Sequence, residues 1–500
     1  MAEVKVKRSL GVALAVAALF SGCSFAPAYQ VPPTAIPTAF KEDGAWQLAK
    51  PADQVPRDAW WSVYRDPVLD KLEVQVAAAN PDVAAAVARH DEASAYLAQA
   101  RSGLFPTIGA EADVSTNRQS DNRPLRGVNQ PAVFGSNTVD VGISYDLDLW
   151  GRVRNEVSAG RAAAQASAAD LASVRLSLQA SLADAYFNLR GLDEQQQLLA
   201  DTISTYERAL KLTMSRHAGG IASDLDVSRA QTQLASARAS AQDVKASRAL
   251  YEHAIASLTG VPASSFSLAP SISAAYLPSI PTGVPATLLQ RRPDIAAAER
   301  RVAEANAQIG VAKAAFFPDV SLGLDGGFQS DELSPWIIAP NEIWSVGPSL
   351  VMTLFDGGRR EAITQQARAK LAENGAKYKA AVLLAFQQVE DNLAQLHHLG
   401  DEATQENEAL TDAQRTLNLS MSRYRDGVVS YLDVVTAQTT ELNTQILALN
   451  VNTRRLLASV GLIEALGGGW AGEEAAAAAP AMPVQAQTQP VVPSKLAEVD

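Results

Sequence analysis

The sequence predicts a mixed α and β membrane protein built from an internally duplicated chain. Three observations carry this: landmarks recur at a near-constant offset, strictly alternating strands occur in each copy, and proline-free helical tracts run far longer than a small domain needs. Composition agrees. One cysteine and five histidines in 500 residues exclude a disulfide scaffold or a multi-ligand zinc site. With 42 basic and 54 acidic residues the formal charge is −12, the wrong sign for covering phosphates, so no nucleic-acid partner is expected. Hydrophobic residues reach 47% with only 6% aromatics, and charged residues, at 19%, fall below the usual share of about 25%. That balance suits a segregated, partly membrane-embedded body.

The N-terminus is an address. Lys5, Lys7 and Arg8 precede an apolar run from Leu10 to Phe20, followed by Ser21 and Gly22, the order of a secretory signal over residues 1–22. That run is too short to span a bilayer, which needs roughly 20 residues. Leu19-Phe20-Ser21-Gly22-Cys23 resembles a bacterial lipobox, with Phe20 where leucine is usual, and makes Cys23 the expected lipidation site. The plainer reading is a signal cut near Gly22 that leaves an incidental thiol. No later segment holds 18 consecutive apolar residues, so no transmembrane helix is expected after export.

Beyond an N-terminal segment, residues 23–79, the chain repeats itself. Asn80-Pro81-Asp82-Val83 and Phe105-Pro106 recur as Arg292-Pro293-Asp294-Ile295 and Phe317-Pro318, at an offset of 212. Ser215-Arg216, Gly220, Ser223-Asp224-Leu225-Asp226-Val227 and Ala230-Gln231-Thr232 recur as Ser422-Arg423, Gly427, Ser430-Tyr431-Leu432-Asp433-Val434 and Ala437-Gln438-Thr439, at 207. Units this long exceed solenoid repeats of ~20–50 residues, so this is a doubled domain. The copies are expected over 80–258 and 291–470, joined by a linker over 259–290.

Each copy holds two strands. From Thr138 to Leu149, Val139, Val141, Ile143, Tyr145, Leu147 and Leu149 alternate with polar or small residues, a period of two. Ile108, Ala110, Ala112 and Val114 give its partner. In the second copy Val320, Leu322 and Leu324 alternate similarly, as do Trp344, Val346, Pro348, Leu350, Met352 and Leu354. A half-buried soluble sheet is one reading. Acids recurring on the polar face favour an outer-membrane barrel wall, whose strands need about 9–11 residues. Four strands cannot close a barrel, since the smallest have about 8, and open edges in lipid cost several kcal/mol per unpaired group. The chain must therefore oligomerise: a dimer gives eight strands and a filled interior, a trimer twelve and room for water, and the acid-lined face favours the trimer.

The helices demand a long body. Arg152 to about Ala218 lacks proline and carries one apolar stripe through Leu171, Val174, Leu178, Leu182, Leu189 and Leu192. At ~1.5 Å per residue such a helix approaches 100 Å. Gly357/Gly358 to about Tyr424 repeats it. A solvent-exposed coiled-coil stalk explains these helices and leaves the strands unexplained.

Tyr29-Gln30-Val31-Pro32, Trp60-Trp61, Asp66-Pro67-Val68-Leu69-Asp70-Lys71-Leu72, Arg291-Arg292-Pro293-Asp294-Ile295, Phe317-Pro318 and Ala465-Leu466-Gly467-Gly468-Gly469-Trp470 together resemble the TolC-type outer-membrane efflux proteins, best their NodT-like lipoprotein branch. The resemblance implies a homotrimer whose twelve-stranded outer-membrane β-barrel continues into a long periplasmic α-helical barrel. It implies the outer channel of a tripartite efflux pump, a passive exit duct for drugs or other small molecules. Its expected partners are a periplasmic adaptor (membrane fusion) protein, an inner-membrane transporter of the RND type and outer-membrane lipid. Ser24 after the lipidated cysteine agrees with sorting to the outer membrane. Residues 471–500 extend past the match and read as a disordered tail. The reading from another class is a non-transporting lipoprotein scaffold that bridges envelope layers.

Catalysis finds no support: there is no G-x-S-x-G, no P-loop and no H-E-x-x-H, and no cofactor is expected. His397-His398 is expected to point to different sides of a helix, as exposed residues without a metal. The two hairpins carry the most chemistry. Gly220 and Gly427 end one helix each, and Ser223-x-x-Asp226 and Ser430-x-x-Asp433 read as capping boxes. The resemblance makes Gly220, Ser223, Gly427 and Ser430 part of adaptor-docking tips, and Tyr424, Leu432, Asp433 and Asp226 candidates for a periplasmic gate. Val429 stands where some relatives have arginine and Thr436 where they have an acid, so a more apolar closure is expected.

Overall fold

The computed structural model describes residues 24–37, 39–42, 59–120, 122, 131–272, 275–278, 280 and 291–468. The signal segment, Cys23, the end of the linker, Trp470 and the 471–500 tail lie outside the described residues.

The first copy comprises α1 (Pro67–Ala79), α2 (Pro81–Ser102), β1 (Thr107–Arg118), β2 (Val133–Asp146), α3 (Arg152–Ala218) and α4 (Asp224–Leu258). The second comprises α5 (Pro293–Ala314), β3 (Asp319–Ser330), β4 (Glu342–Val351), α6 (Arg359–Arg425) and α7 (Tyr431–Ala465). Corresponding helices match in length: 22 residues in α2 and α5, 67 in α3 and α6, 35 in α4 and α7. The first helices start where their side chains dictate. Asp66 accepts the Val68 and Leu69 amides at 2.8 and 3.2 Å, Asn80 those of Asp82 and Val83 at 2.8 and 3.2 Å, and each is followed by a helix-compatible proline.

The four strands form one antiparallel sheet in the order β1-β2-β3-β4, so β2 and β3 join the two copies. Register places Ile108, Ile143, Leu324 and Val346 in one row across the sheet, and the next row is Gly109, Gly142, Asp325 and Ser345. Partners in a row share a face, so one face is apolar and the other small and polar. Ser345 Oγ donates to Asp325 Oδ2 at 3.1 Å on the polar face. Both faces are largely open within one chain, and the outer edges of β1 and β4 have no partner strand among the described residues.

The alternating pattern overreaches at two strand ends. Leu147 and Leu149 are not in β2, because Asp148 turns the chain at φ +43° and its carboxylate accepts the Val153 and Arg154 amides at 2.9 and 3.0 Å, opening α3. Met352 and Leu354 likewise lie beyond β4, in the turn before Gly357 and Gly358, both at positive φ.

The core sits midway along the long helices. Trp60, Trp61, Tyr64, Leu69, Leu72 and Val76 pack against Tyr186, Phe187 and Leu189 of α3, with Leu393 of α6 and Val460 of α7 in the same cluster. Tyr186 donates its hydroxyl to Asp66 at 2.6 Å. Arg292, buried, binds Gln388 Oε1 at 2.7 Å and the Ala465 carbonyl at 3.1 Å, fastening the last helix to the start of α5. α7 has the length and apolar content of a membrane span, yet Val451 and Ala458 pack with Leu399 and Ala403 of α6.

Glu73 lies in this core fully buried, with neither carboxylate oxygen hydrogen-bonded. Burial, and then the nearby Asp70 charge, push its pKa up to about 9. The fold therefore keeps a proton that the unfolded chain releases above ~4.3, and stability falls as pH rises between those values, by at most ~1.4 kcal/mol per pH unit. Glu73→Gln will melt higher than wild type at pH 8, with the gap closing toward pH 5 in a thermal melting series; a pH-independent gap refutes the assignment. On the sheet, Ile143→Arg will block trimer assembly in membranes, since a cation at mid-bilayer costs roughly 2–4 kcal/mol. Ser144→Arg will assemble, and equal tolerance at both sites, read by trimer yield on gels, contradicts the facing.

Candidate functional site

The two helical hairpins close in the same way. The Ile221 amide reaches back to the Arg216 carbonyl at 2.8 Å and the Val428 amide to the Arg423 carbonyl at 2.9 Å, around Gly220 and Gly427 at φ +74° and +76°. This is the bonding that ends a helix through a left-handed glycine. The following helices open on matched boxes. Ser223 N and Oγ donate to Asp226 Oδ2 at 3.2 and 2.8 Å, and Ser430 N and Oγ donate to Asp433 Oδ2 at 3.0 and 2.8 Å. Asp226 also meets Arg229 at 3.7 Å. Both acids thus cap helices. Asp433 and Leu432 are nevertheless exposed, and Ile221, Leu225 and Val428 give the tips an apolar surface.

Between the hairpins lies a buried joint. Tyr424 and Tyr431 face each other with ring centroids 5.3 Å apart and pack with Val434 and Ala230 of the other copy. The Tyr424 hydroxyl makes a long contact, 3.5 Å, to Thr213 Oγ1 in α3. The Arg216 guanidinium lies over the Tyr424 ring at 4.8 Å and donates to the Arg425 carbonyl at 3.1 Å. Further along, Gln233 Nε2 donates to the Tyr206 hydroxyl at 3.2 Å and to Thr439 Oγ1 at 3.0 Å, and Tyr206 donates to the Gln438 carbonyl. Burial, then the neighbouring Tyr424 and Tyr206, push the Tyr431 phenol up to about 12.

Tyr424 is therefore an element of the contact between the copies, buried rather than exposed. Sequence reading missed Thr213, Arg216 and Tyr431 as partners. The available signal was Arg216 in the repeated Ser-Arg pair, since a cation one turn before a hairpin glycine can reach the neighbouring hairpin. The histidines also depart from expectation. His397 and His398 do not diverge; their rings meet edge to face at 5.1 Å.

The profile of the family described as "Outer membrane efflux protein" matches residues 72–261 and 284–468, most of both copies. The chain belongs to the outer membrane efflux protein family. Within that family it is 30% identical over 470 residues to the toluene efflux pump outer membrane protein TtgC of Pseudomonas putida, covering 92% of this chain and 95% of TtgC. The pyoverdine export outer membrane protein OpmQ of Pseudomonas aeruginosa is 30% identical over 462 residues, covering 90% and 96%. Among solved structures the outer-membrane channel OprN superposes with a TM-score of 0.82 at 29% identity, covering 90% of this chain and all of OprN. The open state of the Neisseria gonorrhoeae MtrE channel superposes at 0.77 and 29% identity, covering 89% and 98%.

Like other family members, the chain is the outer-membrane component of an efflux pump. It builds a trimeric channel, in which three four-stranded sheets make a twelve-stranded outer-membrane β-barrel continuous with a periplasmic α-helical barrel.

Arg216→Met keeps most of the side-chain stem while removing the cation and the bond to the Arg425 carbonyl. Amide exchange in residues 424–431 will rise several-fold in that variant, while the barrel strands stay as protected as in wild type. Unchanged exchange at the hairpin contradicts a joint held by Arg216.

Proposed function

We propose that this efflux protein is a passive exit duct for drugs or other small molecules, closed at rest where its hairpins meet. The hairpin tips dock a periplasmic adaptor, which couples the duct to an inner-membrane transporter of the RND type. The chain itself is not an enzyme, so energy for export comes from that transporter. The observation that carries the reading is the joint itself: Tyr424, Arg216 and Thr213 tie the two copies together directly behind an exposed tip bearing Ile221, Leu225, Val428 and Leu432. In a trimer Asp433 occurs three times around one axis, and a carboxylate ring at a narrow opening attracts cations. The apolar Val429 and uncharged Thr436 suit a closure without a salt-bridge lock.

We also propose that Cys23 carries lipid. Support comes from the neighbouring residues: Ser24 Oγ donates to Asn155 Oδ1 at 3.0 Å, and Phe25 stacks on Phe317 at 4.4 Å, itself 4.9 Å from Trp150. These contacts hold the start of the mature chain at the junction between strands and long helices. Interfacial aromatic rings at that junction suit an acyl chain entering the inner leaflet.

Planar-bilayer recording of the purified trimer tests the duct. Wild type will conduct with a low open fraction. Tyr424→Phe will open more often, and Asp433→Ala will lose cation preference and block by multivalent cations. A trimer that never conducts fits a scaffold. Variants with unaltered conductance and selectivity but a lower melting temperature reduce these residues to caps, whose loss costs about 0.5–2 kcal/mol. Cys23→Ala will abolish fatty-acid labelling while the barrel still holds the trimer in the membrane; retained label refutes the anchor.

A further inference from the structure

One cluster outside the hairpins and the barrel brings together donors that the efflux function does not use. We propose that His397, His398 and Asp401 form a surface site for a divalent first-row transition ion of the zinc type, one per chain. The ligand atoms of the two imidazoles and the carboxylate lie within 4.8 Å of one another, and all three residues are exposed. Donors around a tetrahedral zinc ion stand about 3.4 Å apart, given bonds of ~2.0–2.1 Å, so closing the site requires only small rotations of free side chains. His397 and Asp401 are four residues apart and share one helix face, while His398 turns its ring toward His397.

The backbone beneath is fixed and the field is favourable. Leu399, on the opposite face, is packed against Val451 and Ala458 of α7, so this turn of α6 is clamped from behind. Residues 390–408 contain six acids and no lysine or arginine. Arg454 reaches across from α7 to pair with Glu402 at 2.9 Å, leaving Asp401 to the histidines. Two neutral imidazoles and one carboxylate suit zinc, copper(II) or nickel better than magnesium or calcium, which prefer oxygen donors alone. A fourth position stays open to water or to a donor from outside. Gly400, a helix-interior glycine, sits inside the turn the ion would bridge.

Calorimetric titration of the full-length, tag-free, EDTA-washed trimer with Zn²⁺ tests the site. One saturable Zn²⁺ per chain is expected, with His397→Asn and His398→Asn each weakening binding about tenfold or more and Asp401→Asn weakening it several-fold. His253→Asn, an exposed histidine on α4, will bind as wild type does. Zn²⁺ will raise the melting temperature of wild type and not of the His397→Asn/His398→Asn double variant, whose circular dichroism without metal matches wild type. Absence of saturable binding at one per chain, or binding and thermal shift retained in the double variant, overturns the proposal.

Discussion

Unpaired backbone groups at the edges of the four-stranded sheet set the terms for the rest of this molecule. Among the described residues β1 and β4 each present one side of 12- and 10-residue strands without a partner. In hydrocarbon each unmet amide or carbonyl costs several kcal/mol, more in total than the whole stability of an ordinary domain. Pairing β4 of one chain with β1 of the next removes every such edge, and three chains do it with twelve strands. The register then decides what each face meets. The row Ile108, Ile143, Leu324, Val346 continues around the closed wall toward lipid, and the Asp325 row lines water. Closure of the sheet thereby forces the long helices into a ring as well, since each strand pair is continuous with them.

Duplication with equal helix lengths brings both hairpins to the same level, because two 67-residue helices leave the same sheet and turn after the same rise. Function enters where the copies diverge. Tyr424 occupies the position of His217, whose ring Nδ1 merely meets the Ala222 carbonyl of its own hairpin at 3.0 Å. Tyr431 occupies the position of Asp224. The second copy thus supplies two rings, and Arg216 of the first supplies the cation that lies over one of them. A symmetric pair of hairpins would have no reason to prefer each other.

Much of this architecture is legible from pattern alone. The limits of α3 follow from proline-free periodicity, and both capping boxes follow from Ser-x-x-Asp, because these features are local in sequence. Legibility ends where a local rule is overridden or where distant residues meet. Leu147 and Leu149 continue a period of two in the sequence, but the Asp148 carboxylate binds amides of the next helix more favourably than the strand can extend. His397 and His398 are 100° apart on a helical wheel, yet flexible side chains bring the rings together. The partners of Tyr424, Thr213 and Arg216, are more than two hundred residues away, and no periodicity encodes that contact. Buried Glu73 is equally invisible, since its sequence neighbours look like those of any amphipathic helix.

The distribution of bond strengths at the tips decides how they can move. Within each hairpin the closing amides, the capping box and the serine hydroxyl all bond at 2.8–3.2 Å, so unravelling a hairpin forfeits several good hydrogen bonds together. Between hairpins the Tyr424 hydroxyl contact is 3.5 Å long and the Arg216 ring contact is of a kind worth ~0.5–2 kcal/mol, to which the Arg216 bond to the Arg425 carbonyl, the Gln233 bond to Thr439 and the buried cluster of Ala230, Tyr424, Tyr431 and Val434 add. The joint therefore rests chiefly on packed rings, whereas each hairpin rests on its own closing and capping hydrogen bonds. Parting the second-copy hairpin from the first as a unit leaves the bonds inside each hairpin intact and exposes the cluster of Ala230, Tyr424, Tyr431 and Val434.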